Sequence, residues 1–351
     1  MINHLNIKMR ISGILIALSF FAVGCGKDVS FNKIDDVVPQ PPPVDLCQTD
    51  CDPDATYVEE NFEQKETNSK VDILFVVDNS PSMYEEQKML GSRFNSFISA
   101  LSRVDWQIAF TTTDVSNGTY GIKGSFLDLD GANGNKVLRG NAGNAHQIFA
   151  NTIQRKESNC SFVCPSSDEQ GLLASIMAMD KSLTVNAGFF RDDTDLAIIY
   201  ISDEDELSDG PRDATKPVEV IDTFRQHWGQ TKSLSVYGII IEPGDTNCLR
   251  EKRDEGTTAY YGTHVSDLSA LTGGITGSLC QRDYSQTLEE ISNRVRELVD
   301  SFELKEAPTG DVLVELDPVQ PNISWRIDGN KLIFSRPPVS GTKIRVVYQK
   351  P

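Results

Sequence analysis

Two polar segments, far apart in the sequence, carry the side chains that could together bind a metal ion. In the first, Asp78-x-Ser80-x-Ser82, one carboxylate and two hydroxyls occupy alternate positions directly after an apolar run. In the second, Asp203 begins an acidic stretch that also follows an apolar run closely. Hard oxygen ligands, most of them uncharged, favour Mg²⁺ or a similar ion that keeps part of its water. These residue types therefore predict a divalent-cation site.

The apolar runs before these segments, residues 71–77 and 196–201, are nearly continuous, which is typical of parallel strands covered on both faces. Residues 234–241 form a third such run. Helical patterns separate the runs, so we predict an α/β fold with a doubly wound, mostly parallel sheet and helices on both faces. Ligands of open α/β sheets bind beyond the carboxyl ends of the strands, where Asp78 and Asp203 should meet.

The other elements of this domain, which we place at residues 70–303, follow from local patterns. One helix should bury the stripe Leu90, Phe94, Phe97, Ile98 and Leu101, and the last helix the stripe Leu288, Ile291, Val295, Leu298, Val299 and Phe302. We also predict strands at 106–112 and before Cys280, a hairpin at 126–138 with Gly131 and Gly134 at its tip, and helices at 145–153, 171–183, 218–228 and 265–271.

The segment Asp78-x-Ser80-x-Ser82 after a buried strand resembles the metal-ion-dependent adhesion site of von Willebrand factor A-like domains. The resemblance extends over residues 71–302. It implies that the two serines bind the ion directly, that Asp78 acts largely through water, and that Asp203 completes the shell. The implied ion is Mg²⁺, with Mn²⁺ or Ca²⁺ as alternatives.

The middle loop departs from the family pattern, because no threonine stands where the family supplies its third hydroxyl ligand. Ser166 has the best-matching spacing, and its hydroxyl could still bind an ion. Asp168 or Glu169 could intrude instead, which leaves the ligand set open. Three further residues at the same predicted edge are weaker candidates: Thr113, Asp114 and Asp205.

The resemblance implies a protein-binding module, in adhesion or envelope interaction, in which an acidic side chain of the partner completes the coordination sphere. Enzyme motifs are absent from the sequence: it has no His-Glu-x-x-His, no phosphate-binding glycine loop and no nucleophile elbow. We therefore expect no catalysis. The alternatives are a structural or assembly lipoprotein with a vestigial metal site, and a hydrolase that uses the acidic loop. The plain interpretation, a helix cap at Asp78 and Ser82 and a solvated acidic loop at 203–209, is compatible with each.

The N-terminus predicts export. Lys8 and Arg10 precede a short apolar run, residues 11–23, as in a signal peptide over residues 1–24. The run ends before Cys25 in small residues that resemble a bacterial lipobox, which implies lipidation of Cys25; an ordinary secretory signal is the alternative. Gly26, in place of an aspartate, favours the outer membrane, on its periplasmic or surface face.

The other six cysteines form an even set, which in an exported chain indicates disulfides: Cys47, Cys51, Cys160, Cys164, Cys248 and Cys280. Six cysteines allow fifteen connectivities. We expect pairing of the near neighbours, with Cys248 to Cys280 as the third bridge. A zinc site is the alternative for the two closely spaced pairs, but the histidines lie far from them.

Two segments flank the predicted domain. Residues 25–69 are polar, acidic and interrupted by prolines, which is typical of a stalk. Residues 304–351 alternate apolar and polar side chains around an Asp328-Gly329-Asn330 turn, which predicts a small antiparallel β module. The formal net charge of -18 makes nucleic acid an unlikely partner class, because phosphate backbones would be repelled.

Overall fold

The computed structural model of the chain describes residues 56–64, 70–99, 101, 104–192, 194–206, 213–229, 232–299, 301–321, 323–335 and 338–350, with backbone only at 297–299. The predicted signal peptide, Cys25, most of the predicted stalk and the predicted Cys47–Cys51 bridge lie outside these residues. Among the described residues, no helix combines the length and the apolar composition needed to cross a bilayer.

Twelve strands are found in the described residues. They are β1 (Tyr57–Glu63), β2 (Lys70–Val77), β3 (Asp105–Thr112), β4 (Leu138–Arg139), β5 (Asp195–Ser202), β6 (Leu234–Ile240), β7 (Thr276–Ser278), β8 (Ser301–Glu303), β9 (Val312–Asp317), β10 (Trp325–Asp328), β11 (Lys331–Phe334) and β12 (Lys343–Gln349). Six of them form the central sheet in the order β4-β3-β2-β5-β6-β7. Only β4 runs antiparallel to its neighbour, so the predicted α/β fold with a mostly parallel sheet is confirmed.

Helices cover both faces of this sheet. They are α1 (Tyr84–Ser92), α2 (Phe94–Ser99), α3 (Ala145–Ile153), α4 (Gly171–Asp180), α5 (Pro217–Trp228), α6 (Thr246–Asp254), α7 (Thr263–Leu271) and α8 (Ser285–Val299). Alternate side chains of β2 point to opposite faces: Phe75 packs with α1, α2, α3 and α8, whereas Leu74 packs with α4, α5 and α7. The central strands are mostly apolar because each face of the sheet has its own core.

The β module is built from two three-stranded antiparallel sheets, in the orders β1-β12-β9 and β10-β11-β8. They enclose a core of Leu304, Leu332, Phe334, Ile344, Val346 and Tyr348. The hairpin between β10 and β11 turns at Gly329, whose φ of 60° suits glycine, as the Asp-Gly-Asn pattern predicts. The stalk prediction is wrong over Tyr57–Glu63, because this segment is a strand paired along its whole length with β12.

Three local predictions are wrong. Within 126–138 only Leu138 lies in a strand; the remainder is a loop with turns at Gly131 and Gly134, and the hydrogen bond from the Leu129 N–H to the Asn135 carbonyl is not extended into a strand ladder. The helix with the stripe from Leu90 to Leu101 ends at Ser92 and restarts at Phe94, although its apolar side chains are buried as expected. Phe302 lies in β8 and packs in the β module, not on the last helix.

Two disulfides are present among the described residues, Cys160–Cys164 and Cys248–Cys280, as the near-neighbour pairing predicts. The first closes a loop of the chain between α3 and α4. The second joins α6 to the segment after β7, so it ties together two connections at the same end of the sheet.

Candidate metal centre

Asp78 lies directly beyond the carboxyl end of β2, at the middle of the sheet. Its N–H donates to the carbonyl of Ile201 at 2.9 Å, which holds the end of β2 against the end of β5. Its side chain is fully buried. Oδ1 accepts from the backbone N–H of Ser80 at 2.8 Å, and Oδ2 accepts from the hydroxyl of Ser202, the last residue of β5, at 2.7 Å. The Asp-x-Ser spacing is what lets the carboxylate bind the N–H two residues on.

The two serines connect Asp78 to the second acidic loop. The hydroxyls of Ser80 and Ser82 lie 2.8 Å apart, and the Ser82 hydroxyl donates to Oδ1 of Asp203 at 3.0 Å. The structure thus brings together four of the five residues that the sequence proposes as metal ligands. Ser82 is the half-buried member, while Ser80 and the two aspartates are buried, so Ser82 lies nearest to solvent.

Ser166, the fifth proposed ligand, is engaged elsewhere. Its N–H donates to Oδ2 of Asp114 at 3.0 Å, and its hydroxyl accepts from the N–H of Asp168 at 3.1 Å. Glu169 is the residue of this loop that reaches the centre: it is buried, and one of its carboxylate oxygens accepts from the hydroxyl of Thr113. One feature of the sequence could have identified Glu169 as a residue of the centre. It lies just before α4, at the carboxyl edge of the sheet.

Two buried carboxylate oxygens of the centre have no hydrogen-bond partner among the described residues, Oδ2 of Asp203 and Oε1 of Glu169. A buried carboxylate oxygen without a donor is costly, because it has lost its water and gained nothing in exchange. The orphaned atoms belong to a set that is otherwise composed of serine hydroxyls and Asp78. This set of hard oxygens fits Mg²⁺ or Mn²⁺ in type and in charge.

The electrostatics of the centre favour an added positive charge. Burial raises the pKa of Asp78, and burial together with the neighbouring charge of Asp78 raises the pKa of Asp203 well above its usual range. The pKa of Glu169 is raised well above its usual range by the same two causes. Burial disfavours the ionised form of all three carboxyl groups, and the charge of Asp78 adds to this effect at Asp203 and Glu169, so one divalent cation would stabilise all three ionised forms.

A cation from the chain itself is already engaged. Lys252 of α6, a helix that the sequence patterns did not reveal, is buried near Asp203 and lowers the pKa of that carboxyl. Its ammonium group, however, donates to Glu86 and, at 3.2 Å, to Glu255. Lys252 therefore reduces the electrostatic repulsion within the centre, but it forms no hydrogen bond with Asp78 or Asp203.

Two other acidic residues of the second loop serve other contacts, whereas the buried Glu204 lies close enough to raise the pKa of both Asp203 and Glu169. Asp205, a weaker candidate for a second ion, accepts from the N–H of His264 at 3.0 Å and lies 2.9 Å from Nδ1 of the same residue. Glu206 accepts from the N–H groups of Leu172 and Leu173 at the start of α4. Within the described ranges, no three His, Cys, Asp or Glu side chains form a metal-binding group by themselves, so any ion here depends on the serines.

No family model and no curated protein matches the chain. Among solved structures, pilus adhesin SpaC from Lactobacillus rhamnosus GG in its open conformation has 12% identity and a TM-score of 0.37, covering 84% of this chain and 40% of that one. Proximal thread matrix protein 1 from the mussel byssus, with a zinc occupied MIDAS motif, has 11% identity and a TM-score of 0.37, covering 70% and 52%.

A third solved structure, the manganese-loaded TRAP protein of Plasmodium vivax, has 12% identity and a TM-score of 0.33, and the match covers 68% of this chain and 76% of that one. The chain spans about 40% of the pilus adhesin and about half of the mussel protein. At this level of similarity, neither ligand nor function transfers from these proteins to the chain.

Proposed function

We propose that the chain is a von Willebrand factor A-like, metal-dependent protein-binding domain without catalytic activity. The observation that carries the proposal is the convergence of Asp78, Ser80, Ser82 and Asp203 at the carboxyl edge of the sheet, with an oxygen of Asp203 left unpartnered. In this proposal the domain is held in a bacterial envelope by lipid on Cys25, at the outer membrane.

Ser80 and Ser82 would hold the ion through their hydroxyls, and Asp203 through its unpartnered oxygen. Both carboxylate oxygens of Asp78 accept hydrogen bonds, from the Ser80 N–H and from the Ser202 hydroxyl. Asp78 would therefore contact the ion mainly through water and stabilise it by its charge. The bound ion would supply a coordination position for a carboxylate of the partner protein. Such a bond is strong because opposite charges are in direct contact, and it is directional because the coordination geometry of the ion is fixed.

A structural or assembly lipoprotein with a vestigial site is the second candidate. One observation supports it: the Ser80, Ser82 and Asp203 side chains already satisfy one another in part, through hydrogen bonds of 2.8 and 3.0 Å. In that case the serines would only hydrogen-bond the two loops to each other. The two candidates differ in whether the centre binds a cation at all.

Calorimetric titration with MgCl₂ and MnCl₂ separates them. We expect one equivalent of either ion to bind the full chain, and Ser80→Ala or Asp78→Ala to abolish the heat. Ser92→Ala is the matched control, because its exposed hydroxyl only donates to the carbonyl of Met89. Absence of heat in the wild-type protein, with the fold intact by circular dichroism, would support the vestigial site.

The proposed anchor has its own test. Replacement of Cys25 by Ser should release the protein from the membrane fraction of a bacterial host and abolish incorporation of labelled fatty acid. Retention of Cys25→Ser in the membrane fraction would contradict lipid anchoring at this residue, whatever the outcome of the metal titration.

A further inference from the structure

Phe162 is the most exposed large apolar side chain in the described part of the chain. It lies at the tip of a five-residue ring that the Cys160–Cys164 disulfide closes, and its side chain is fully exposed; that of Val163 is more than half exposed. A single exposed apolar residue is ordinary on a protein surface, so the location of the ring decides what it means.

Hydrogen bonds of the chain on either side of the ring place it near the candidate metal centre. Before the ring, the hydroxyl of Ser158 donates to the carbonyl of Asn79 at 2.9 Å and accepts from Gln87 at 3.1 Å. The same amide group of Gln87 donates to the carbonyl of Asp78 at 2.7 Å. After the ring, the chain reaches the centre at Glu169. Phe162 is therefore presented at the edge of the sheet where the proposed ion would bind.

A hollow lies beside both the ring and the first loop of the candidate centre. It has a volume of about 440 Å³, and both Ser82 and Cys160 line it. Ser82 is also the member of the centre nearest to solvent. A partner that fills the hollow and contacts Ser82 would therefore lie next to the base of the ring that carries Phe162.

The disulfide makes the ring suitable for binding. A short covalent ring has few conformations, so Phe162 and Val163 lose little conformational entropy when a partner covers them. Aromatic side chains held in this way are common anchors in protein interfaces. The Cys160–Cys164 bridge presents an apolar anchor that an open loop of the same sequence would have to order at the moment of binding.

We propose that Phe162 and Val163 form an apolar contact with the same protein partner whose carboxylate completes the coordination of the metal ion. The partner's surface would carry an acidic side chain next to aliphatic or aromatic side chains. This inference depends on the proposed function. Continuity with the metal centre, where the proposed ion takes a carboxylate, favours a protein over a lipid surface.

Fluorescence anisotropy with short synthetic peptides tests the contact. Each peptide has one central Asp, flanked by Gly and Ser in one series and by Leu and Phe in the other. In MgCl₂ we expect the full-length wild-type chain to bind the apolar series about tenfold more tightly, which corresponds to about 1.4 kcal/mol. Phe162→Ser should remove this preference while leaving the Gly and Ser series and the Mn²⁺ titration unchanged.

Leu183→Ser is the matched control, because Leu183 is 91% exposed in the turns after α4, away from the ring; it should bind both series like the wild type. A preference that survives in Phe162→Ser would overturn the apolar contact and leave the metal site standing. Absence of EDTA-sensitive peptide binding by the wild type would overturn both. Flotation of the wild type, but not of Phe162→Ser, with phosphatidylcholine vesicles in EDTA would assign the ring to lipid and overturn the protein contact.

Discussion

Strand β2 has a buried aspartate at each end, and the two are compensated in different ways. Near its start, Asp72 accepts from the backbone N–H and the Nε of Arg191, each at 2.8 Å, and from the hydroxyl of Thr194 at 2.6 Å. Just after its end, Asp78 accepts from the backbone N–H of Ser80 and from the hydroxyl of Ser202. Its acidic neighbours Asp203 and Glu169 raise the local negative charge further.

The difference supports the proposal that the carboxyl edge of the sheet binds a ligand, while the amino edge is structural. At the amino edge the chain supplies its own cation, so the buried carboxylate is paired within the fold. At the carboxyl edge the described residues direct no arginine or lysine at Asp78, and Lys252 is engaged with Glu86. A charge that the chain leaves uncompensated in its interior is typical of a site that an external ion completes.

Removing the internal cation at the amino edge should have the largest effect. Arg191→Ala leaves Asp72 buried and unpaired, so we expect the free energy of unfolding to fall by about 3 to 5 kcal/mol. Urea denaturation in EDTA measures it. Arg93→Ala, which breaks an exposed pair with Asp283, is the control and should change little. An equal loss in Asp78→Asn without metal would contradict the proposed difference between the two edges.

The carboxyl edge should also make stability depend on pH. Burial raises the pKa of Glu206 to about 7 from a usual value of 4.5. The folded state then binds more protons than the unfolded state between these values, so stability falls as pH rises from about 4.5 to about 7. Glu206→Gln should remove a decrease of about 3 kcal/mol from that interval.

The comparison for this prediction is the difference in unfolding free energy between pH 5 and pH 8, measured by urea denaturation in wild type and variant. Glu206→Gln also weakens one of the two N–H contacts at the start of α4, so its absolute stability is not the measure. An identical pH dependence in both proteins would show that Glu206 is ionised in the folded state across the whole interval.

An external cation should stabilise the carboxyl edge and leave the amino edge unaffected. At free Mg²⁺ of about 100 times Kd, the wild-type protein should gain about 2.7 kcal/mol over the same protein in EDTA. Asp203→Asn should abolish the gain and, in EDTA, should be at least as stable as the wild type because one buried acid has been neutralised. A full Mg²⁺ gain in Asp203→Asn would place the ion elsewhere.

The smallest expected effect is a change in Mn²⁺ affinity, and it should show whether Ser166 or Glu169 contributes to the ion site. Ser166→Ala should change the affinity for Mn²⁺ by less than about twofold, because its hydroxyl only accepts from a backbone N–H of its own loop. Glu169→Gln should change that affinity more strongly, since it removes a charge next to Asp78. The reverse order in a calorimetric titration would restore Ser166 as a ligand.

Much of the central domain could be predicted from the sequence, because buried parallel strands leave a strong local signal. The apolar runs before Asp78 and Asp203 end close to the ends of β2 and β5. The positions of the two loops at one edge of the sheet could therefore be predicted. Helix α6 was missed because it is short and mostly polar, with Cys248 and Lys252 as its buried residues. Strand β1 was missed because its partner, β12, lies almost 300 residues away along the chain, and pairing at that distance has no local pattern.

In the candidate metal centre, too, only the features with a local sequence pattern could be predicted. Asp78, Ser80 and Ser82 are close in sequence, so their spacing alone predicts convergence. The choice between Ser166 and Glu169 depends on how the disulfide ring and Thr113 orient the chain before α4, which is a tertiary property. The pairing of Ser202 with Asp78 likewise needed the neighbouring position of β2 and β5 in the sheet.

The pairing of β1 with β12 determines how the domain would respond to mechanical load. A pull directed along the axis of β1 would load hydrogen bonds to β12 that run across that axis. All the bonds from Tyr57 to Glu63 would then resist the force at once in shear, instead of opening one after another. A load in that direction, applied before Tyr57, would have to break this pairing before it reached β2 and the loop at Asp78.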